Sequence, residues 1–277
     1  QEKAYPDQPI GRTILGESDM VRSFGREDLS TFISEHYGPD QMILSAAGGV
    51  DHDTLVAQAE TLFGHIPARQ APAFDKARYL GGESRELKDL EQAHIALAFE
   101  GPGYRDDNFY AAQIYSSVLG GGMSSRLFQE IREKRGLCYT IFAQSGAYAD
   151  TGMMTIYAGT SGEELGDLAM LTIDEMKRAA DDMTQAEIDR ARAQMKAGLL
   201  MGLESPSSRA ERMARMVQIW GNVPPIKDTV ARIDAVTLTD VLGFAQVQVT
   251  SAAPSLALYG PVSKAPGLAD IQARRGA

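Results

Sequence analysis

The sequence contains a single cysteine, Cys138, and four histidines, His36, His52, His65 and His94. One cysteine excludes an internal disulfide and leans toward a reducing compartment: cytoplasmic first, with the periplasm and the mitochondrial matrix left open. No histidine has another within five residues, so no helix face offers the two-histidine clamp of a hydrolytic metal site, and each reads as a surface or structural residue. There is no Gly-x-x-x-x-Gly-Lys-Ser/Thr loop for nucleotide phosphates and no Gly-x-Ser-x-Gly nucleophile elbow. Cys138 follows the apolar Leu137 and has no nearby histidine, so it reads as a buried thiol and not as a nucleophile.

Long apolar runs are also missing. None approaches the ~18 residues a membrane-spanning helix needs, and no basic segment precedes an apolar core in the manner of a signal peptide. Positive charge is scarce, with Lys and Arg numbering 27 against 37 Asp and Glu, a net charge of −10. That balance argues against nucleic acid and anionic lipid as partners and favours basic peptides. At 277 residues and 44% hydrophobic, the chain predicts two cores. It starts at Gln1 without an initiating Met, which reads as a chain cut from a longer one.

The stretch Leu119 to Phe142 is the most distinctive part of what is present. Gly120, Gly121 and Gly122 carry no Cβ, so one helix can stop there in a left-handed cap and another chain can come close to the backbone. Ser124 or Ser125 can cap a new helix with Leu127, Phe128 and Ile131 on its apolar face and Arg126, Glu130, Arg132, Glu133 and Lys134 elsewhere. Gly136 ends that helix, and Cys138 to Ala149 reads as a strand that forms a hairpin with Met153 to Thr160, its tip at Asp150-Thr151-Gly152 tolerating positive φ.

Around this stretch the pattern alternates between the two periods. Residues 1 to 24 read as an extended loop. Glu27 to Tyr37 is helical, Gln41 to Val50 a strand of the buried type, and Asp51 caps a helix that ends at Gly64. Pro67 to Gly82 reads as a linker. Beyond it come strands Ser84 to Asp89 and Gln92 to Phe99, then helices Asp107 to Leu119 and Glu163 to Ala180. A capping box, Thr184 to Glu187, opens a helix reaching about Glu204, and Pro206 to Trp220 is the next. Met195, Met201, Met213 and Met216 read as core filler. Thr237 to Val249 and the strand Ser255 to Gly260 close the series. Asp28-Leu29 reaches Val50 through the spacing by which Asp240-Val241 reaches Val262, with Leu44 matching Leu256 and Gly48 matching Gly260. Duplicated halves of α+β type would produce this, each a mostly antiparallel sheet covered by helices on one face.

The run Gly-Gly-Gly-Met-Ser-Ser-Arg-Leu-Phe-Gln-Glu-Ile-Arg-Glu-Lys-Arg-Gly-Leu-Cys-Tyr resembles the second-domain signature of the pitrilysin-like (M16) zinc metallopeptidases, which include the mitochondrial processing peptidases. Tyr-Pro-Asp-Gln-Pro-Ile-Gly-Arg-Thr-Ile-Leu-Gly and Ala-Ala-Gly-Gly-Val-Asp-His-Asp are similar to the words that close the family's first domain. The resemblance spans about Tyr5 to Val262. It implies the metallohydrolase fold of LuxS and the processing peptidases, with residues 1–66 the remainder of a zinc-binding domain, 67–82 a linker and 83–277 a second, substrate-supporting domain.

The resemblance also assigns roles. Arg132 and Tyr139 match the Arg and Tyr that reach from the second domain to the active site, and Gly120, Gly121 and Gly122 would line the substrate chamber. Zinc is the implied cofactor. Its His-x-x-Glu-His ligand motif is absent from this sequence, so the ligands are expected upstream and the chain alone is expected to be inactive. Implied partners are a peptide substrate, held in part by strand addition at a sheet edge, and a zinc-binding domain or partner subunit in a homo- or heterodimer. The alternative within the same fold is a non-catalytic subunit, such as an inactive peptidase subunit or a core subunit of respiratory complex III.

Overall fold

Alternating apolar residues build the sheet that carries the candidate site. In the computed structural model, which describes residues 1–68, 73–250 and 252–276, five strands form it: β1 (Gly82–Leu87), β2 (Ala93–Gly101), β3 (Thr140–Ala147), β4 (Gly152–Thr160) and β5 (Pro254–Gly260). The order is β1-β5-β2-β4-β3, with β1 parallel to β5 and every other pair antiparallel. The α-helices in chain order are α1 (Ser18–Ser23), α2 (Arg26–His36), α3 (His52–Phe63), α4 (Phe109–Gly120), α5 (Leu165–Asp182), α6 (Gln185–Gly202), α7 (Pro206–Trp220), α8 (Ile226–Ala235), α9 (Leu238–Thr250) and α10 (Leu268–Arg275). None is long and apolar enough to cross a membrane.

The chain divides into two compact units. The first comprises Gln1–Arg12, Ala77–Lys196 and Lys227–Ala277, the second Thr13–Lys76 and Ala197–Ile226. In the first, Ile95, Leu97 and Phe99 of β2, Met154 and Ile156 of β4, and Leu256 and Leu258 of β5 share one face of the sheet and are buried. They meet the apolar faces of α4, α5 and α9 in one continuous core. Each large side chain fully buried there contributes about 1.5–3 kcal/mol, so this face fixes the register of the strands. The expected mostly antiparallel sheet covered by helices is therefore present.

The second unit holds α1, α2, α3 and α7. It shows the duplication most directly, through local details that recur at matched positions. Asp28 accepts the Gly25 backbone N–H at 2.8 Å to open α2, and Asp240 accepts the Thr237 N–H at 2.8 Å to open α9. Gly48 and Gly260 both have positive φ, +117° and +106°, and each carbonyl accepts a tight turn from the N–H two residues on, Val50 and Val262. The halves differ in their strands. β5 is paired on both sides, whereas residues 42–47 have no strand partner among the described residues, and Met42, Ile43 and Leu44 are exposed. The buried strand expected over Gln41 to Val50 is thus corrected to an unpaired extended segment. A strand exists only with a neighbour to complete its hydrogen bonds.

Other segments carry structure that the pattern does not predict. Residues 1 to 24 are not merely a loop: a 3₁₀ turn forms at Pro9–Gly11, and α1 follows. Tyr5 is buried, its hydroxyl 2.9 Å from Thr151 Oγ1 and 3.0 Å from the Gly152 carbonyl. Of the stretch Pro67 to Gly82, residues 69–72 lie outside the described residues. The part from Ala77 onward is bound within the first unit, where the Tyr79 hydroxyl donates to Ala98 O at 2.9 Å. α8 and α10 lie where the sequence pattern predicts no element. At the β3–β4 turn no residue has positive φ. Gly152 is required by proximity instead, because a Cβ there would lie 2.2 Å from the Pro102 carbonyl oxygen.

Candidate active-site segment

α4 runs into the glycine triplet without the expected left-handed cap. Gly121 has φ −83° and its N–H returns to Ser117 O at 2.9 Å. Close approach explains the glycines better. A Cβ on Gly120 would lie 2.3 Å from the backbone nitrogen of Ala143 on β3, and one on Gly121 would lie 2.6 Å from Ser117 Cα. Gly122 has nothing within 4 Å of a Cβ position, so of the three it alone opens on free space.

The segment after the triplet differs from the expected α-helix. Phe128–Glu133 is a π turn, in which the Lys134 N–H reaches back five residues to Gln129 O at 3.0 Å. Such insertions widen the helix locally and recur at functional sites. Leu127 and Ile131 are buried as the apolar spacing predicts, but Ser125 caps nothing, its buried hydroxyl having no hydrogen-bond partner. Gly136 then adopts φ +66° and turns the chain toward β3, the ending that sequence assigned to it.

Arg132 and Tyr139, seven residues apart, meet at this turn. Arg132 Nε donates to the Tyr139 carbonyl at 2.9 Å, Nη1 pairs with Glu133 at 2.8 Å, and the guanidinium lies 4.5 Å from the Phe128 ring centroid and 5.8 Å from that of Tyr139. Tyr139 sits one residue before β3 and is 79% exposed. An exposed phenol just ahead of a strand is a hydrogen-bond donor that can meet a carbonyl oxygen gaining negative charge. Cys138, beside it, is buried, and burial pushes its thiol up to about 11, away from nucleophilic use.

Two ion clusters that sequence reasoning did not anticipate hold this segment. The Arg126 guanidinium, 10% exposed, donates from Nε to Glu187 Oε1 at 2.6 Å and from Nη2 to Oε2 at 2.8 Å, and also pairs with Asp182. Burial pushes the Glu187 carboxyl up, but the bonds from Arg126 and Thr184 outweigh it and hold the group at about 2. Glu130 pairs with Lys134, with Arg135 at 3.0 Å and with Arg178 at 3.5 Å, and the Lys134 ammonium above all holds its carboxyl at about 2. The i,i+4 spacing of Glu130 and Lys134 is visible in sequence. The partners of Arg126 come from α5 and α6 and leave no local signal.

A family model described as the Peptidase M16 inactive domain matches residues 23–195. The chain belongs to the M16 peptidase family. Among its relatives, a protein of Rickettsia bellii (strain RML369-C) named "Uncharacterized zinc protease" is 37% identical over 93% of this chain and 62% of its own length. The "Uncharacterized zinc protease YmxG" of Bacillus subtilis (strain 168) is 32% identical over 95% of this chain and 64% of its own length. The chain thus spans a little over three-fifths of these relatives. Two solved structures share the fold at low identity. One, described as Complex III2 from Candida albicans, Inz-5 bound, is 21% identical with a TM-score of 0.90 over 99% of this chain and 68% of its own. The other, a protease from Helicobacter pylori, is 20% identical with a TM-score of 0.80 over 93% of this chain and 64% of its own.

The zinc implied by the M16 relatives' names finds no fitting residues among those described. Among the described residues no three His, Cys, Asp or Glu side chains are grouped so as to hold a metal ion, and His94 is engaged through Nδ1 with the Tyr157 hydroxyl at 2.8 Å.

Proposed function

We propose that this chain is the carboxy-terminal part of a zinc-dependent metalloendopeptidase that cleaves peptides or presequences, and that it contributes groups that bind substrate and stabilise the transition state. In this reading residues 1–66 are the remainder of a zinc-binding domain, 67–82 the linker and 83–277 the second domain. The zinc ligands lie upstream of Gln1. The duplication supports this division: residues 42–47 correspond to β5, a central strand flanked on both sides, so the neighbours of 42–47 are sought in the missing part of the longer protein.

The observation that carries the reading is the fixed Arg132–Tyr139 contact with the Tyr139 ring left exposed. Tyr139 donates to the oxyanion of the scissile carbonyl, Arg132 holds the strand end and grips substrate carbonyls, and Gly122 gives a peptide backbone room to approach. The partner of this chain is therefore a zinc-binding domain, in the same polypeptide or in a partner subunit of a homo- or heterodimer.

A second reading is a scaffold subunit without activity. It is favoured by the description of the matched family model as an inactive domain and by the fold shared with the complex III structure. Incubating the full-length protein with the insulin B chain separates the two. The peptidase reading expects cleavage that a chelator abolishes and added zinc restores, and an absence of any cleavage at one zinc per chain would favour the scaffold.

A further inference from the structure

A π turn frees one backbone acceptor, and that acceptor identifies what holds the turn open. In an α-helix the Lys134 N–H would bond to Glu130 O, four residues back. Here it bonds to Gln129 O at 3.0 Å. The carbonyl of Glu130 is taken instead by Arg135 Nη1 at 2.7 Å, and the same Nη1 lies 3.0 Å from the Glu130 carboxylate. One guanidinium therefore replaces the missing main-chain donor and binds the side chain of the same residue. The carboxylate, with its side chain 12% exposed, is also held by Arg178 of α5 at 3.5 Å, which ties the turn to the helix layer.

Removing the inserted residue would rotate whatever follows by ~100° about the helix axis, since an α-helix advances 3.6 residues per turn. Arg132 lies inside the turn, so its 2.9 Å bond to Tyr139 O is made in the π register. We propose that Arg135 and Glu130 form a lock on the π register and are positioning residues for Arg132 and Tyr139. The inference rests on the peptidase reading for its catalytic consequence and on main-chain geometry for its structural one.

The test uses the full-length zinc-loaded protein, the insulin B chain as substrate, and the variants Arg135→Ala, Arg132→Ala and their combination, with a crystal structure of full-length Arg135→Ala. The lock predicts a kcat lower by ~10- to 100-fold in Arg135→Ala with KM little changed, the scale expected for a misplaced catalytic group. It also predicts no additional loss when Arg135→Ala is added to Arg132→Ala, because both act through one contact. In the variant's structure the Lys134 N–H moves to Glu130 O and Arg132 leaves Tyr139 O. If Arg135→Ala fails to fold, Arg135→Lys takes its place, since lysine keeps the charge but lacks the planar fork. Slow Arg132→Ala with an unimpaired Arg135→Ala overturns the lock and spares the peptidase reading. No cleavage by the zinc-loaded wild-type protein overturns the peptidase reading, and an unimpaired Arg132→Ala overturns the catalytic role of Arg132. The structure then decides alone: an unchanged π turn in Arg135→Ala overturns the lock, and a switch to the α register upholds it.

Discussion

Arg126→Ala is the perturbation whose cost can be worked most directly from the geometry. The substitution removes two bonds to Glu187, the pairing with Asp182 and a 3.3 Å bond to the Asp182 carbonyl, and leaves the Glu187 side chain, 16% exposed, without its cation. Breaking a fully buried pair costs about 3–5 kcal/mol, and an exposed one about 0–1 kcal/mol. Arg126 and Glu187 lie near the buried limit and Asp182, 52% exposed, near the other, so about 2–4 kcal/mol is expected. That corresponds to a fall in Tm of about 5–15 °C in a domain of this size. The pH dependence has a definite sign. The Glu187 carboxyl lies at about 2, below its unfolded value of 4.5, so its contribution is complete above pH 4.5 and lost as pH falls through about 2. The gap between wild type and Arg126→Ala should therefore be full at pH 7 and narrow in strong acid. Thermal melts across pH, with Asp182→Ala as the mild control, measure it. A wild-type Tm for Arg126→Ala at pH 7 would refute the assignment of Arg126 as the clamp of this segment.

Three further outcomes follow from other contacts. Gly120→Ala sets a Cβ against the main chain of β3 and should cost about 1–3 kcal/mol or prevent folding, whereas Gly122→Ala should melt as wild type; equal melts would refute the close-approach account. Cys138 should react slowly with a thiol reagent at pH 8 in the native state and readily once unfolded, as its burial and a pKa of about 11 require. Arg275 is buried, donates to Val249 O at 3.0 Å and Gln248 O at 2.9 Å, and stacks over Phe99, so Arg275→Met should lower stability by about 1–3 kcal/mol in urea titration by leaving the end of α9 unsatisfied.

Much of this was legible in the sequence where the determining interactions are local. Asp51 accepts the Thr54 N–H at 2.9 Å to open α3, Pro206 opens α7, and Gly221 closes it with φ +75°. Thr184 and Glu187 form the capping box that their spacing announced. What stayed hidden depends on distant partners. The segment 42–47 has the composition of a strand and lacks neighbours among the described residues, and the second role of Glu187 as the partner of Arg126 spans 61 residues. The π turn was hidden for another reason: Phe128 to Glu133 carries ordinary helical spacing, and the register shows itself only in main-chain bonds such as Lys134 N–H to Gln129 O. Arg132 and Tyr139 were singled out by resemblance, and no periodicity would have paired them.

The central claim is that Tyr139 acts on the peptide bond undergoing hydrolysis. Tyr139→Phe in the full-length zinc-loaded protein removes one hydroxyl and keeps the ring stacked near Arg132. Steady-state cleavage of the insulin B chain should show kcat reduced by ~10²–10³ with KM little altered, as for the loss of one oxyanion donor, while zinc content and Tm stay at wild-type values. A Tyr139→Phe enzyme that turns over at the wild-type rate would contradict the account.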